Sequence, residues 1–128
     1  MIRSNTRTAL SRVEGLGAAH SGVVHFWRQR ITGAALVPLA CWFAWLALSQ
    51  IGAERSDVAA FLHLPVNAIL MALFVVLAAL HMAIGVQVVI EDYIEHEGRK
   101  ILLLVLNQAF ALGVAAVALY AIGRIAFS

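Results

Sequence analysis

The sequence predicts an all-α integral membrane protein with three transmembrane helices, N-terminus inside and C-terminus outside. Three observations predict it: the composition, three long uncharged apolar stretches, and a lopsided distribution of basic residues. Of the 128 residues, 62% are hydrophobic and only 12% charged, with a mean hydropathy of +0.90. A soluble domain of this size needs more polar surface than that.

A helix crosses the hydrocarbon core with about 20 apolar residues. Residues 31–52, 66–90 and 101–123 each reach that length, and none of the three contains Asp, Glu, Lys or Arg. The segments between them are short, so residues 1–128 read as one membrane-anchor domain, with residues 1–30 as a cytoplasmic N-terminal segment. In the first span, Pro38 predicts a kink, and the lone Cys41 reads as packing, since it has no partner for a disulfide or metal site. Of the three tryptophans that bracket this span, Trp27 is the interfacial one. Pro65 precedes the second span and suits a first helical turn. In the second and third spans Gln87, Asn107 and Gln108 are expected to hydrogen-bond between helices.

Lys and Arg beside a span favour the cytoplasmic side. Arg3, Arg7, Arg12, Arg28, Arg30, Arg99 and Lys100 fall on one side, and Arg55 and Arg124 on the other. The second span therefore runs from outside to inside. The same residues account for the net charge of +2; they flank spans rather than forming a basic patch interleaved with aromatics, so nucleic acid is not an expected partner. The opening MIRSNTRTALSRV has the Arg/Ser/Thr-rich, acid-poor character of a transit peptide, but Met1 heads the chain, and the expected location is a bacterial inner membrane.

His81 is the most informative residue, because an ionisable group at membrane depth is costly and tends to serve function. About nine residues of the span follow it, which places it on the order of 14 Å below the inner end of the helix. An imidazole there can ligate haem iron, relay a proton or bond a neighbouring helix. Gly85 lies one turn on and Ala78 nearly one turn back, which keeps the helix surface beside the ring low, either for a flat macrocycle or for close helix approach. Asp92 is 11 residues on, about 20° off the face of His81. With Tyr93 it stands where the helix leaves the bilayer, as an acid and a phenol able to hydrogen-bond a quinone head group, or as part of a solvated loop EDYIEHEGRK. In HFWRQRIT, residues His25, Arg28 and Arg30 sit at the inner mouth of the first span, as anion-binding groups or as positive-inside anchors. His20, His63 and His96 read as loop residues without ligand spacing.

The pattern HMAIGVQVVIEDY, a His, three residues, a Gly and then Asp-Tyr at the helix end, resembles that of the small hydrophobic membrane anchor of succinate dehydrogenase (complex II), of the bacterial, alphaproteobacterial-like type. HFWRQRIT resembles the second signature of that family, and three spans with the N-terminus inside agree over nearly the whole chain. The resemblance implies that His81 is an axial ligand of a b-type haem and its iron. It also implies that Tyr93, with Asp92 beside it, contacts ubiquinone, and that Arg30 and His25 lie near the haem propionates or the quinone. No other histidine is buried in the spans, so the second haem ligand is expected from a second, companion membrane anchor. The flavoprotein and iron–sulfur subunits would carry succinate oxidation, since this chain has no GxGxxG and one cysteine. It contributes no catalytic residue of its own to that step, only anchoring, a shared haem and part of the quinone pocket. The competing readings are a small transport subunit with a proton path through His81 and Asp92, and a structural membrane protein in which His81 only packs. A dihaem fumarate reductase anchor fits less well, because it needs several buried histidines.

Overall fold

The computed structural model describes residues 18–128, with side chains from residue 22; Arg3, Arg7 and Arg12 lie outside the described residues. Within them the chain forms four helices: α1 (Ala18–Ser49), α2 (Arg55–His63), α3 (Pro65–Tyr93) and α4 (Glu97–Ala126). Three of these, α1, α3 and α4, are long and apolar enough to cross a membrane. The expected spans are present: α3 and α4 continue past their apolar stretches at both ends, whereas α1 begins well before its stretch and stops at Ser49, short of the expected end at residue 52. Hydropathy registers where lipid is, whereas a backbone keeps its i→i−4 hydrogen bonds after leaving lipid.

This extension changes the setting of several residues. HFWRQRIT is not a segment before a helix but lies wholly inside α1. His20 also falls in α1 and His63 closes α2, so of the three histidines expected in loops only His96, at the start of α4, is outside a helix body. Helix α2 occupies what reads in the sequence as a plain connection. Gly52, at φ 81°, turns the chain after α1 in a conformation that side chains disfavour. The Asp57 carboxylate then accepts the Glu54 backbone N–H at 3.3 Å, closing the first turn of α2. Pro65 opens α3 at its first turn, where a missing N–H costs nothing. The Asn67 amide donates to the Phe61 carbonyl at 3.0 Å and ties α3 to α2.

Helix α3 is central: α1 and α4 pack on it and not, among the described residues, on each other. Phe43 stacks on Phe74 with ring centroids 4.6 Å apart, while Gly33 approaches His81 and Gly85 approaches Gln29, so α1 and α3 run antiparallel. The α3–α4 seam is closed by the Asn107 amide, which donates to the Ala83 carbonyl at 2.8 Å. Asn107 thus bridges helices as expected. Gln87 does not: its amide donates to Glu91 one turn along the same helix, at 2.8 Å. Gln108 is exposed, and so is Cys41, expected from the sequence to pack. Most large apolar side chains are likewise exposed, and the buried apolar positions are mainly small ones such as Ala79, Ala83 and Ala111. A bundle whose outer surface meets lipid gains nothing by hiding leucines, and close packing of small residues does the joining.

Candidate functional site

The site is built where α1 crosses the middle of α3. His81 is half-buried in that seam, and both of its ring nitrogens face α1. Nδ1 lies 3.0 Å from the Thr32 hydroxyl oxygen, and Nε2 lies 3.4 Å from the Gln29 side-chain nitrogen. The Thr32 hydroxyl also reaches the backbone of its own helix, 2.8 Å from the Arg28 carbonyl and 3.2 Å from that of Gln29. Between the two nitrogens, the ring carbon Cε1 points at Gly33, where an added Cβ would stand only 3.1 Å away. Gly33 therefore lets the imidazole edge approach the α1 backbone.

Gly85, expected to keep the surface low beside His81 for a flat macrocycle or for close helix approach, faces α1: a Cβ there would meet the Gln29 amide nitrogen at 3.3 Å. It serves the close approach of two helices, and Gly33 is the glycine in contact with the histidine. Toward the end of the bundle where α1 begins and α3 ends, the seam opens into a cavity of about 510 Å³ lined by Gly22, His25, Phe26, Gln29, Val88 and Glu91. His25 Nδ1 and Gln29 Oε1 are both buried without a hydrogen-bond partner, a costly arrangement in an apolar setting. A cavity bordered by unpaired polar atoms is suited to a polar molecule.

The sequence-predicted residues divide into two groups. His81 and His25 belong to the seam and its cavity, linked through Gln29. Arg30 is exposed on α1 with its guanidinium over the Phe26 ring, 4.5 Å from the centroid. Phe26 also lines the cavity, so Arg30 stands at the rim through that stacking contact. Arg28 is exposed and enters the site only through its carbonyl. Asp92 and Tyr93 are in the last turn of α3 and point outward, Tyr93 being 80% exposed. The acid that borders the cavity is Glu91, one residue earlier, and its carbonyl accepts from Lys100 Nζ at 3.0 Å.

Gln29, Thr32, Gly33 and Glu91 are the site residues that sequence reasoning missed. A signal for two of them was present: His25, Gln29 and Thr32 are spaced four and three apart, one polar stripe down a helix that becomes a membrane span. Among the described residues no three His, Cys, Asp or Glu side chains converge as a metal cluster.

Comparison with known proteins places this geometry in a family. No solved structure matches the chain. The succinate dehydrogenase/fumarate reductase transmembrane subunit model matches residues 4–116. Succinate dehydrogenase hydrophobic membrane anchor subunits are among its relatives. That of Paracoccus denitrificans is 32% identical over 117 residues, covering 91% of this chain and 90% of the relative. That of Rickettsia bellii is 33% identical over 88 residues, covering 69% and 70%, and that of Rickettsia conorii is 27% identical over 107 residues, covering 83% and 85%. Three apolar helices of membrane-crossing length and a match over most of the sequence thus agree, and the chain belongs to the succinate dehydrogenase/fumarate reductase transmembrane subunit family, as a membrane anchor subunit of the succinate dehydrogenase type.

Proposed function

We propose that this anchor shares a b-type haem with a companion anchor subunit, forms part of a ubiquinone-reduction site, and holds the flavoprotein and iron–sulfur subunits to a bacterial inner membrane. The observation that carries the proposal is His81, half-buried at mid-span in a seam that opens, one turn back toward the start of α1, into a cavity with unpaired polar atoms. The surroundings of His81 fit a residue that would hold a haem iron. The hydroxyl of Thr32 holds one ring nitrogen, and the other meets only a long, weak contact to a flexible amide. Ligation through Nε2 requires that the Gln29 amide turn aside, toward the cavity that it lines.

When bound, the haem supplies one-electron storage next to the quinone. The residues of this chain bind and orient. Arg30 and His25, at the rim and wall of the cavity, provide donors for propionates or for a quinone oxygen. Tyr93 donates a hydrogen bond to a quinone carbonyl, and Asp92 orients it or passes a proton. Orientation with the N-terminus inside puts this end of the bundle on the side of the soluble subunits.

The complex purified in mild detergent tests this reading. Reduced-minus-oxidised spectra should show b-type bands, which His81→Ala abolishes, and a large flavoprotein and an iron–sulfur protein should co-purify. Tyr93→Phe should keep the bands while quinone reduction falls about a hundredfold, the low end of what a positioned proton donor contributes. Wild-type complex without b-type bands, or His81→Ala with unchanged bands, removes the haem assignment. A second reading, a proton path, has the unpaired atoms of His25 and Gln29 in its favour. It predicts no haem spectrum and no large soluble partners.

A further inference from the structure

We propose that Thr32 is a positioning residue: its hydroxyl fixes the His81 imidazole as the Nδ1–H tautomer and leaves the Nε2 lone pair as the ring's ligating atom. This rests on the reading of His81 as an iron ligand and deepens it by naming the group that selects the ligating nitrogen.

The assignment follows from counting protons. A hydroxyl has one proton to donate, and a backbone carbonyl can only accept. Thr32 Oγ1 lies 2.8 Å from the Arg28 carbonyl, closer than its 3.0 Å to His81 Nδ1. Donation from a helical threonine to the carbonyl four residues back is a familiar local bond. With its proton committed to the backbone, the oxygen offers the ring only lone pairs. Nδ1 must then carry the hydrogen, and a neutral imidazole so protonated has its lone pair on Nε2.

The opposite edge of the ring agrees independently. The Gln29 side-chain nitrogen can only donate, and it lies 3.4 Å from Nε2. In the other tautomer Nε2–H and the amide N–H would meet as two donors, and Thr32 would have to abandon its carbonyl to satisfy Nδ1. With the Gln29 amide in this orientation, one protonation pattern satisfies all three contacts. Gly33 keeps the ring in register for them, since a Cβ at that position would stand 3.1 Å from the carbon between the two nitrogens. The acceptor that orients the ligand is therefore supplied by α1, a different helix from the one that carries His81.

Two measurements on the full chain and on the complex test this. Nitrogen-15 histidine labelling of the chain in detergent at about pH 8, where an ordinary imidazole is neutral, distinguishes the tautomers through two-bond nitrogen–proton correlations, with the His81 signal identified by its loss in His81→Asn. The expected pattern is Nδ1–H in wild type and in Thr32→Ser, and a mixture or Nε2–H in Thr32→Val. In the purified complex, Thr32→Val should lose haem about 10- to 100-fold more readily on washing, the usual consequence of removing a ligand's hydrogen-bond partner. Its haem midpoint potential should rise, because an imidazole with a free N–H gives less charge to iron, and Thr32→Ser should restore both. An Nε2–H wild type overturns the proposal even if Thr32→Val fails to assemble, and so does a Thr32→Val complex with unchanged tautomer and potential. A wild-type complex without b-type bands overturns the haem reading alone, and the nitrogen spectra still judge the tautomer.

Discussion

Where α3 meets α4, the buried Asn107 amide reaches the Ala83 carbonyl at 2.8 Å. Where α3 meets α1, His25 Nδ1 and Gln29 Oε1 are buried with no partner at all, and His81 is held by a hydroxyl and a long contact to an amide. Both seams use small residues to bring helices together, and both place polar groups among apolar ones. They differ in whether the polar groups are fully paired. A satisfied amide–carbonyl bond locks two helices and offers nothing further to a ligand. Unpaired acceptors and donors cost free energy until something fills them, which makes the α1–α3 seam the one suited to a polar ligand.

Substitutions can break that contrast. The largest effect belongs to His81→Ala, with complete loss of the haem bands. Next comes Gly33→Val, which forces a branched side chain where even a Cβ would stand 3.1 Å from the histidine ring. Overpacking of this kind costs about 1–3 kcal/mol, and most of it should appear as displaced His81: the visible spectrum of the purified complex should lose the greater part of its b-type absorbance while the partner subunits still co-purify. Retention of the full spectrum would mean that the ring does not need its approach to α1. The smallest effect is expected at the other seam. Asn107→Leu should lower the stability of the chain by about 0.6 to 2 kcal/mol, read as a shift in its denaturing-detergent unfolding midpoint, with the haem bands and quinone reduction unchanged. A loss of haem in that variant would show that the two seams are coupled through α3.

Much of the architecture was legible in the sequence because lipid imposes a local rule. Twenty uncharged apolar residues announce a span whatever lies beside it, and Pro65 announces where the second begins. His81 was legible for the same reason, as an exception to that rule. Asn107 was recognised as a helix-bridging residue by the equivalent argument, and Gln87 was misread by it, since the choice between a partner on the next helix and Glu91 one turn away depends on what is in reach. Helix α2 is too short and too mixed in composition for hydropathy to register it.

The site was legible only in part. His81 and His25 stand out in the sequence and do share the seam, but nothing in the sequence marks Gln29, Thr32 or Gly33 as their neighbours. Their spacing put them on one face of α1 without saying which helix that face would meet. Glu91 rather than Asp92 borders the cavity: neighbouring residues on a helix lie about 100° apart, and which of the two faces α1 is set by the packing of α3, not by the offset from His81.

By itself, then, the sequence determined three apolar spans and one ionisable residue at mid-depth, because transfer into lipid is a property of each stretch of chain alone. The tertiary structure decided that α1 rather than α4 faces His81, that Thr32 and Gln29 divide its two nitrogens, and that Gly33 lets them come close. Those are properties of pairs of helices at a fixed register and rotation, and hydrogen bonds a few ångströms long discriminate between rotations that hydropathy treats as equal.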